Sequence, residues 1–226
     1  MARESYQEQL EELRSDVLYM GELVRDRLRT ALSAMESKDN EAAMSVIEGD
    51  EEINDLYLDL EGDCVDLLAL QQPVASDLRF IAASFKVITD LERIGDLATN
   101  LADYSLDADR DVFPEVDILS IGDETLEMLD SAMTAFETED SEACLEIADR
   151  DDRVDEQCQR ASEAVMRDLM EHNLTNGSEE EEIEQLMNDV SRLLLTIRDL
   201  ERIGDHATNI AARTLYMAEG DDQLIY

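Results

Sequence analysis

A chain of 226 residues with 44% hydrophobic content is long enough to bury a core and is not a disordered acidic tail, while two prolines, eight glycines and 4% aromatics argue against a turn-dense all-β protein. Fifty-eight acids against eighteen bases leave a formal charge of −40, which repels phosphate backbones and disfavours direct nucleic-acid binding. The N-terminal MARESYQEQLEEL lacks the apolar core of a signal peptide, and no apolar run approaches the roughly 20 residues that span a bilayer, so a cytoplasmic protein is expected.

In the first third, Leu10, Leu13, Val17, Met20, Val24, Leu28, Ala31 and Met35 recur at spacings of three and four, which predicts a helix over 5–37. Ile53, Tyr57, Leu60, Cys64 and Leu67 give a second stripe over 40–70, ended by Gln71-Gln72-Pro73. Ser76 is the expected N-cap of a third helix running to 106, with Leu78, Ile81, Phe85 and Ile88 as its inward stripe. The polar stretch from Asp107 to Pro114 divides the chain into units 1–109 and 110–226, and Ile118, Ile121, Leu126, Leu129, Met133 and Phe136 restart the cycle. Helices over 140–171 and 179–219 follow, broken by Asn176-Gly177, with Ser178 and Glu181 as a capping box and Gly220 as the stop. Long helices on short connections predict an all-α fold of two tandem three-helix bundles.

The two units are copies. Asp90 to Ala102 reads DLERIGDLATNLA and Asp199 to Ala211 reads DLERIGDHATNIA, eleven of thirteen positions identical at an offset of 109 residues. A weaker echo joins Asp50-Glu-Glu-Ile-Asn54 to Asp151-Asp-Arg-Val-Asp155.

At about 100° per residue, Glu92, Asp96 and Asp103 share the face of Leu78, Ile81 and Phe85, and Glu201 and Asp205 continue the line of Met187, Val190 and Leu194. Asp50 and Asn54 share a face with Tyr57, Cys64 and Leu68, as Asp151 and Asp155 do with Cys158, Val165 and Leu169. Facing carboxylate pairs repel one another without a cation, so the spacing predicts two oxygen-ligated metal sites, one per bundle, suited to Mg²⁺, Mn²⁺, iron or Zn²⁺. Against this stands the abundance of acids, many of which fall four residues apart by chance and sit on solvated surface. Asn54 brings an oxygen but no charge where the second unit has Asp155, so the second site is expected to be the firmer.

Other residues carry ordinary readings beside the functional ones. Gly95 and Gly204 inside helices imply close packing or room for a metal, and Arg93 and Arg202 suit surface pairs with Asp90 and Asp199. Asn100 and Asn209 fit either support of a metal site or polar helix surface, and His206 fits a polar helix flank better than a ligand. Neither His172 nor His206 has an acid three residues before it, which removes the Glu-x-x-His signature of di-iron bundles. Cys64, Cys144 and Cys158 lack close pairing and read as buried thiols. Lys38 and Lys86 are the only lysines, which with the charge suggests adaptation to high salt. No phosphate loop, HExxH or nucleophile elbow occurs, so no enzyme is expected.

QQPVASDLRFIAASFKVITDLERIGDLATN from Gln71 to Asn100, with the second DLERIGDHATNIA, resembles the paired signatures of PhoU proteins. The resemblance implies two three-helix bundles with acid-rich metal-binding faces and an accessory, negative regulatory role in high-affinity phosphate transport. Its implied partners are components of the phosphate ABC transporter and a phosphate-sensing signalling protein, with membrane association only through a partner and with room for a homodimer. Glu92, Asp96, Glu201 and Asp205 match the family's ExxxD metal motif, with Asp50, Asp151 and Asp155 as facing acids; Asn54 departs from the acid expected there. The competing reading is a metal-independent helical adaptor.

Overall fold

The computed structural model describes residues 2–70, 74–106, 116–173 and 180–225, with side chains for 6–69, 74–106, 116–171 and 183–225. Seven helices make up the fold: α1 (Ala2–Ser37), α2 (Asn40–Glu48), α3 (Asp50–Leu70), α4 (Ala75–Leu106), α5 (Ile118–Thr138), α6 (Ser141–Asn173) and α7 (Glu180–Glu219). Gln71-Gln72-Pro73, the 107–114 divide, Asn176-Gly177 and the Ser178 cap all fall outside the described residues. Gly220 ends α7 at φ +74° with its N–H on the Tyr216 carbonyl, as its lack of a Cβ suits.

The duplication reaches the turns. Lys38 and Glu139 both take φ 55° at the end of α1 and α5, and the aspartate after each caps the next helix. Asp39 accepts from Glu41 and Ala42 N–H, and Asp140 from Glu142 and Ala143 N–H, all at 3.0–3.1 Å. Such caps are worth about 1 kcal/mol each.

The helix expected over 40–70 is broken at Gly49, unlike its counterpart α6. The Arg27 guanidinium of α1 lies where a Cβ at residue 49 would sit, giving to the Ser45 carbonyl at 3.0 Å and Glu52 at 2.7 Å. In the second unit the arginine has moved onto the helix itself: Arg150 reaches back to Glu124 at 2.8 Å and Glu127 at 3.0 Å on α5, and α6 runs through unbroken. Ser76 is not a cap, because α4 has already begun at Ala75.

Helices α1, α2–α3 and α4 form one bundle, and α5, α6 and α7 the other; α4 packs on α7 and α1 on α5, so one apolar core runs through both. At the α1–α5 contact, Gly21 admits Met133 and Gly122 admits Leu32. The Phe80 and Phe136 rings stack 6.3 Å apart between α4 and α5. All three cysteines are free and buried, and burial pushes their thiols up to about 11 or 12, so they are packing residues as expected.

Candidate metal centre

The acids do not lie on the inward stripe. In α4 that stripe is Ile81, Ser84, Ile88, Leu91, Gly95, Ala98 and Ala102, all buried, whereas Glu92 and Asp96 stand at its edge half-buried and Asp103 is exposed. Leu78, expected inward, is exposed for the same reason. A flank position keeps the carboxylates partly solvated and opens them to the groove between α3 and α4, or α6 and α7.

In the first unit the cluster is satisfied from within. Asn54 donates its amide to Asp50 Oδ2 at 3.0 Å, and the Thr99 hydroxyl donates to Asp50 Oδ1 at 3.1 Å. Arg93 turns toward the cluster, lying 3.3 Å from Glu92 and 3.2 Å from Asp96, not toward Asp90. Burial, then the charge of Asp96, raises the Glu92 pKa; burial, then the charge of Asp50, raises that of Asp96, and Arg93 opposes both shifts.

The second unit lacks the amide and the arginine, while Thr208 stands beside Asp151 as Thr99 does beside Asp50. Asp151 and Asp155 of α6 and Asp205 of α7 each offer a carboxylate oxygen within 4.8 Å of the other two, and among the described residues this is the one such group of three. Asp151 Oδ1 and Thr208 Oγ1 are both buried, and neither has a well-aligned partner. Burial, followed by the charges of Asp205 and Asp155, pushes Asp151 up to about 7, against a weaker pull from Thr208. Asp155 and Glu201 are raised by burial and then by their neighbours' charges. Arg202 points away, 3.7 Å from Asp199. A Cβ on Gly204 would stand 3.0 Å from Asp151 Oδ1, so the missing side chain is what lets that carboxylate lie against α7. An unpartnered buried oxygen and three converging carboxylates fit a hard or borderline cation.

The repeat's remaining polar residues join the two bundles. Helices α4 and α7 cross antiparallel, and the Asp and Asn of each DLERIGDxATN exchange partners across them. Asn209 and His206 reach Asp90 at 3.4 and 2.9 Å, while Asn100 and Tyr104 reach the fully buried Asp199 at 3.4 and 3.1 Å. Arg198 adds a 2.8 Å bond to Asp199. The sequence signal for this role of Asn100 and Asn209 is an Asp and an Asn ten residues apart in both copies, which pair reciprocally where two antiparallel copies of the helix cross.

Comparison with known proteins agrees with this architecture. A family model described as the PhoU domain matches residues 17–105 and again 118–214. The phosphate-specific transport system accessory protein PhoU of Serratia marcescens is 34% identical, over 95% of this chain and 84% of that protein. A homologue of the same name from Pseudomonas putida is 34% identical, over 97% of this chain and 82% of that protein. The crystal structure of PhoU from Pseudomonas aeruginosa superimposes with a TM-score of 0.87 at 32% identity, covering 96% of this chain and all of that one.

Proposed function

The chain belongs to the PhoU domain family, and from that membership we propose that it is an accessory, negative regulator of phosphate-specific transport. The observation that carries the reading is the double match over both units, joined by relatives that span nearly the whole chain. The family is one of accessory proteins, and the work assigned to this chain is contact with components of the transport system, including a phosphate-sensing signalling protein, and not turnover. No helix among the described residues is long and apolar enough to cross a membrane, so its place at the transporter comes through a partner.

The second-bundle cluster is the site for a cation, held by Asp151, Asp155 and Asp205 with Glu201 beside them. A bound cation supplies positive charge to a face that otherwise repels anions, and so lets that face meet an anionic group. Asp151 and Asp155 would hold the ion from α6 and Asp205 from α7, and the missing side chain of Gly204 leaves the Asp151 carboxylate its place against α7. In the first bundle, Asn54, Thr99 and Arg93 already do what a cation would do, so Asp50, Glu92 and Asp96 act as a structural knot.

Glu201→Ala/Asp205→Ala tests the link between site and control. Uptake of labelled phosphate in phosphate-replete cells should rise to the level of cells lacking the protein. Normal repression in the variant would overturn the metal-linked reading and leave the adaptor reading, in which helix contacts alone suffice.

A further inference from the structure

Bases are scarce in this chain, eighteen against fifty-eight acids, and most of the described ones meet a carboxylate. Arg79 and Lys86 of α4 and Arg213 of α7 do not: among the described residues none of the three has an acid within ion-pair distance. They come together where α4 and α7 run antiparallel. Asn209 meets Asp90 at 3.4 Å, and further along the seam Arg79 Nε gives to the Met217 carbonyl at 3.5 Å. Lys86 lies about one turn from Asp90 toward Arg79, and Arg213 about one turn from Asn209 toward Met217, so the two stand level between these contacts. Arg79 is on the same flank of α4 as Lys86, about 10 Å along the axis.

No acid enters this stretch from either helix. Residues 80–89 read FIAASFKVIT and 210–216 read IAARTLY, in a chain where 58 of 226 residues are acidic. The acids at its ends are engaged elsewhere: Asp90 Oδ1 takes His206 and Asn209, Glu219 lies beside Cys144 of α6, and Asp221 accepts from the Gln223 N–H at 3.0 Å. Duplication does not explain the bases. Asn188, Leu195 and Tyr104 hold the matching positions in the other copy, where Tyr104 closes onto Asp199 at 3.1 Å. Arg213 makes no such closure on Asp90. Arg153 and Arg167, also unpaired, stand about four turns apart on α6 among acids.

We propose that this stretch of the α4–α7 seam binds a small polyvalent phosphate compound through a diphosphate group, held by Arg79, Lys86 and Arg213. Two guanidinium forks and an ammonium offer the charged donors that phosphate oxygens accept, and their spread along the groove suits two linked phosphates better than one. Cations set level across a helix seam repel each other until an anion lies between them. Elsewhere the chain's charge repels anions, so a site for one needs such a local concentration of bases; molar salt screens the longer-range repulsion. The proposal rests on the placement of charge alone and is independent of the cation site and of the transport reading.

The test uses the full chain in molar KCl, with metal removed by a chelator that is then dialysed away, and pyrophosphate as the probe in titration calorimetry. One pyrophosphate should bind per chain, at least about ten-fold tighter than orthophosphate. Lys86→Gln/Arg213→Gln should weaken it at least about ten-fold, and Lys86→Gln alone, at an exposed position, should show part of that loss. Arg153→Gln/Arg167→Gln removes the same two charges from α6 and should leave binding unchanged. Backbone amide signals of 82–90 and 209–217 should shift on binding, and those of 151–155 should not. ADP binding as tightly as pyrophosphate would extend the site to nucleotides, and weaker binding would confine it to the free diphosphate; both keep the site. Absence of saturable binding, or equal losses in the two double variants, would overturn the proposal. So would a tetraglutamate peptide that matches pyrophosphate, which would assign the groove to an acidic segment of a partner.

Discussion

The two copies of the repeat place the same motif in different surroundings, and the difference decides what each can do. Around Asp50 every acid has a local answer, from the Asn54 amide, the Thr99 hydroxyl or Arg93. Around Asp151 the amide has become Asp155, the arginine has turned away to Asp199, and a buried carboxylate oxygen is left with no well-aligned partner. The duplication places two clusters in different surroundings: one has an amide, a hydroxyl and an arginine among its acids, and the other brings three carboxylates together, the arrangement behind the proposed cation site. The cross-bundle clamps diverge similarly, since Asp199 is fully buried with four partners and Asp90 is 14% exposed with two.

Removing the clamps should show the largest contrast. Asp199→Ala strands the Tyr104 hydroxyl and Asn100 amide inside the interface and should cost about 2–3 kcal/mol in urea unfolding, whereas Asp90→Ala should cost about 1 kcal/mol. Equal losses would mean that the two clamps are equivalent after all.

Acid titration of chelated protein comes next. Burial lifts Asp151 from 3.8 to about 7, so between about pH 4 and 7 the folded chain holds a proton that the unfolded chain has released. Stability of the metal-free protein should therefore fall as pH rises through that window, by about 1–2 kcal/mol once solvent screening of this half-exposed group is discounted. Thermal unfolding of Asp151→Asn, beside the parent, should show a flatter slope; an unchanged slope would place the cause elsewhere.

Exchanging the residue that separates the clusters sharpens the comparison from both sides. Asn54→Asp sets a like charge against Asp50 and should lower metal-free stability by about 1 kcal/mol, with Mn²⁺ restoring it. Asp155→Asn should weaken Mn²⁺ binding about ten-fold or more by titration calorimetry. The smallest effect belongs to the glycines. Gly204→Ala should weaken the metal several-fold by crowding Asp151 at 3.0 Å, while Gly95→Ala, which meets only Ile53 at 3.1 Å, should leave it unchanged.

Periodicity and repetition made much of the fold legible, because helix stripes and a thirteen-residue copy are local signals. Most of the helix limits fall within a residue or two of their predicted positions, among them Ser37, Asn40, Leu70, Leu106, Ser141, Asn173, Glu180 and Glu219. Gly49 was not legible as a break, because the arginine that lies across it comes from Arg27 on another helix. Glu92 and Asp96 do share a face with Leu78, yet of that face Ile81 alone is in the core while Leu78, Phe85 and the acids lie along its edge; phase relates residues to one another and does not say which side is covered. Asp90 and His206 escaped because their meeting depends on how one bundle crosses the other.

Metal content per chain, measured on protein purified without chelator in molar salt, tests the asymmetry most directly. The parent and Asp50→Asn should each carry one ion per chain, and Asp151→Asn/Asp205→Asn should carry none. An ion retained in the second-cluster variant, or lost in Asp50→Asn, would contradict the account.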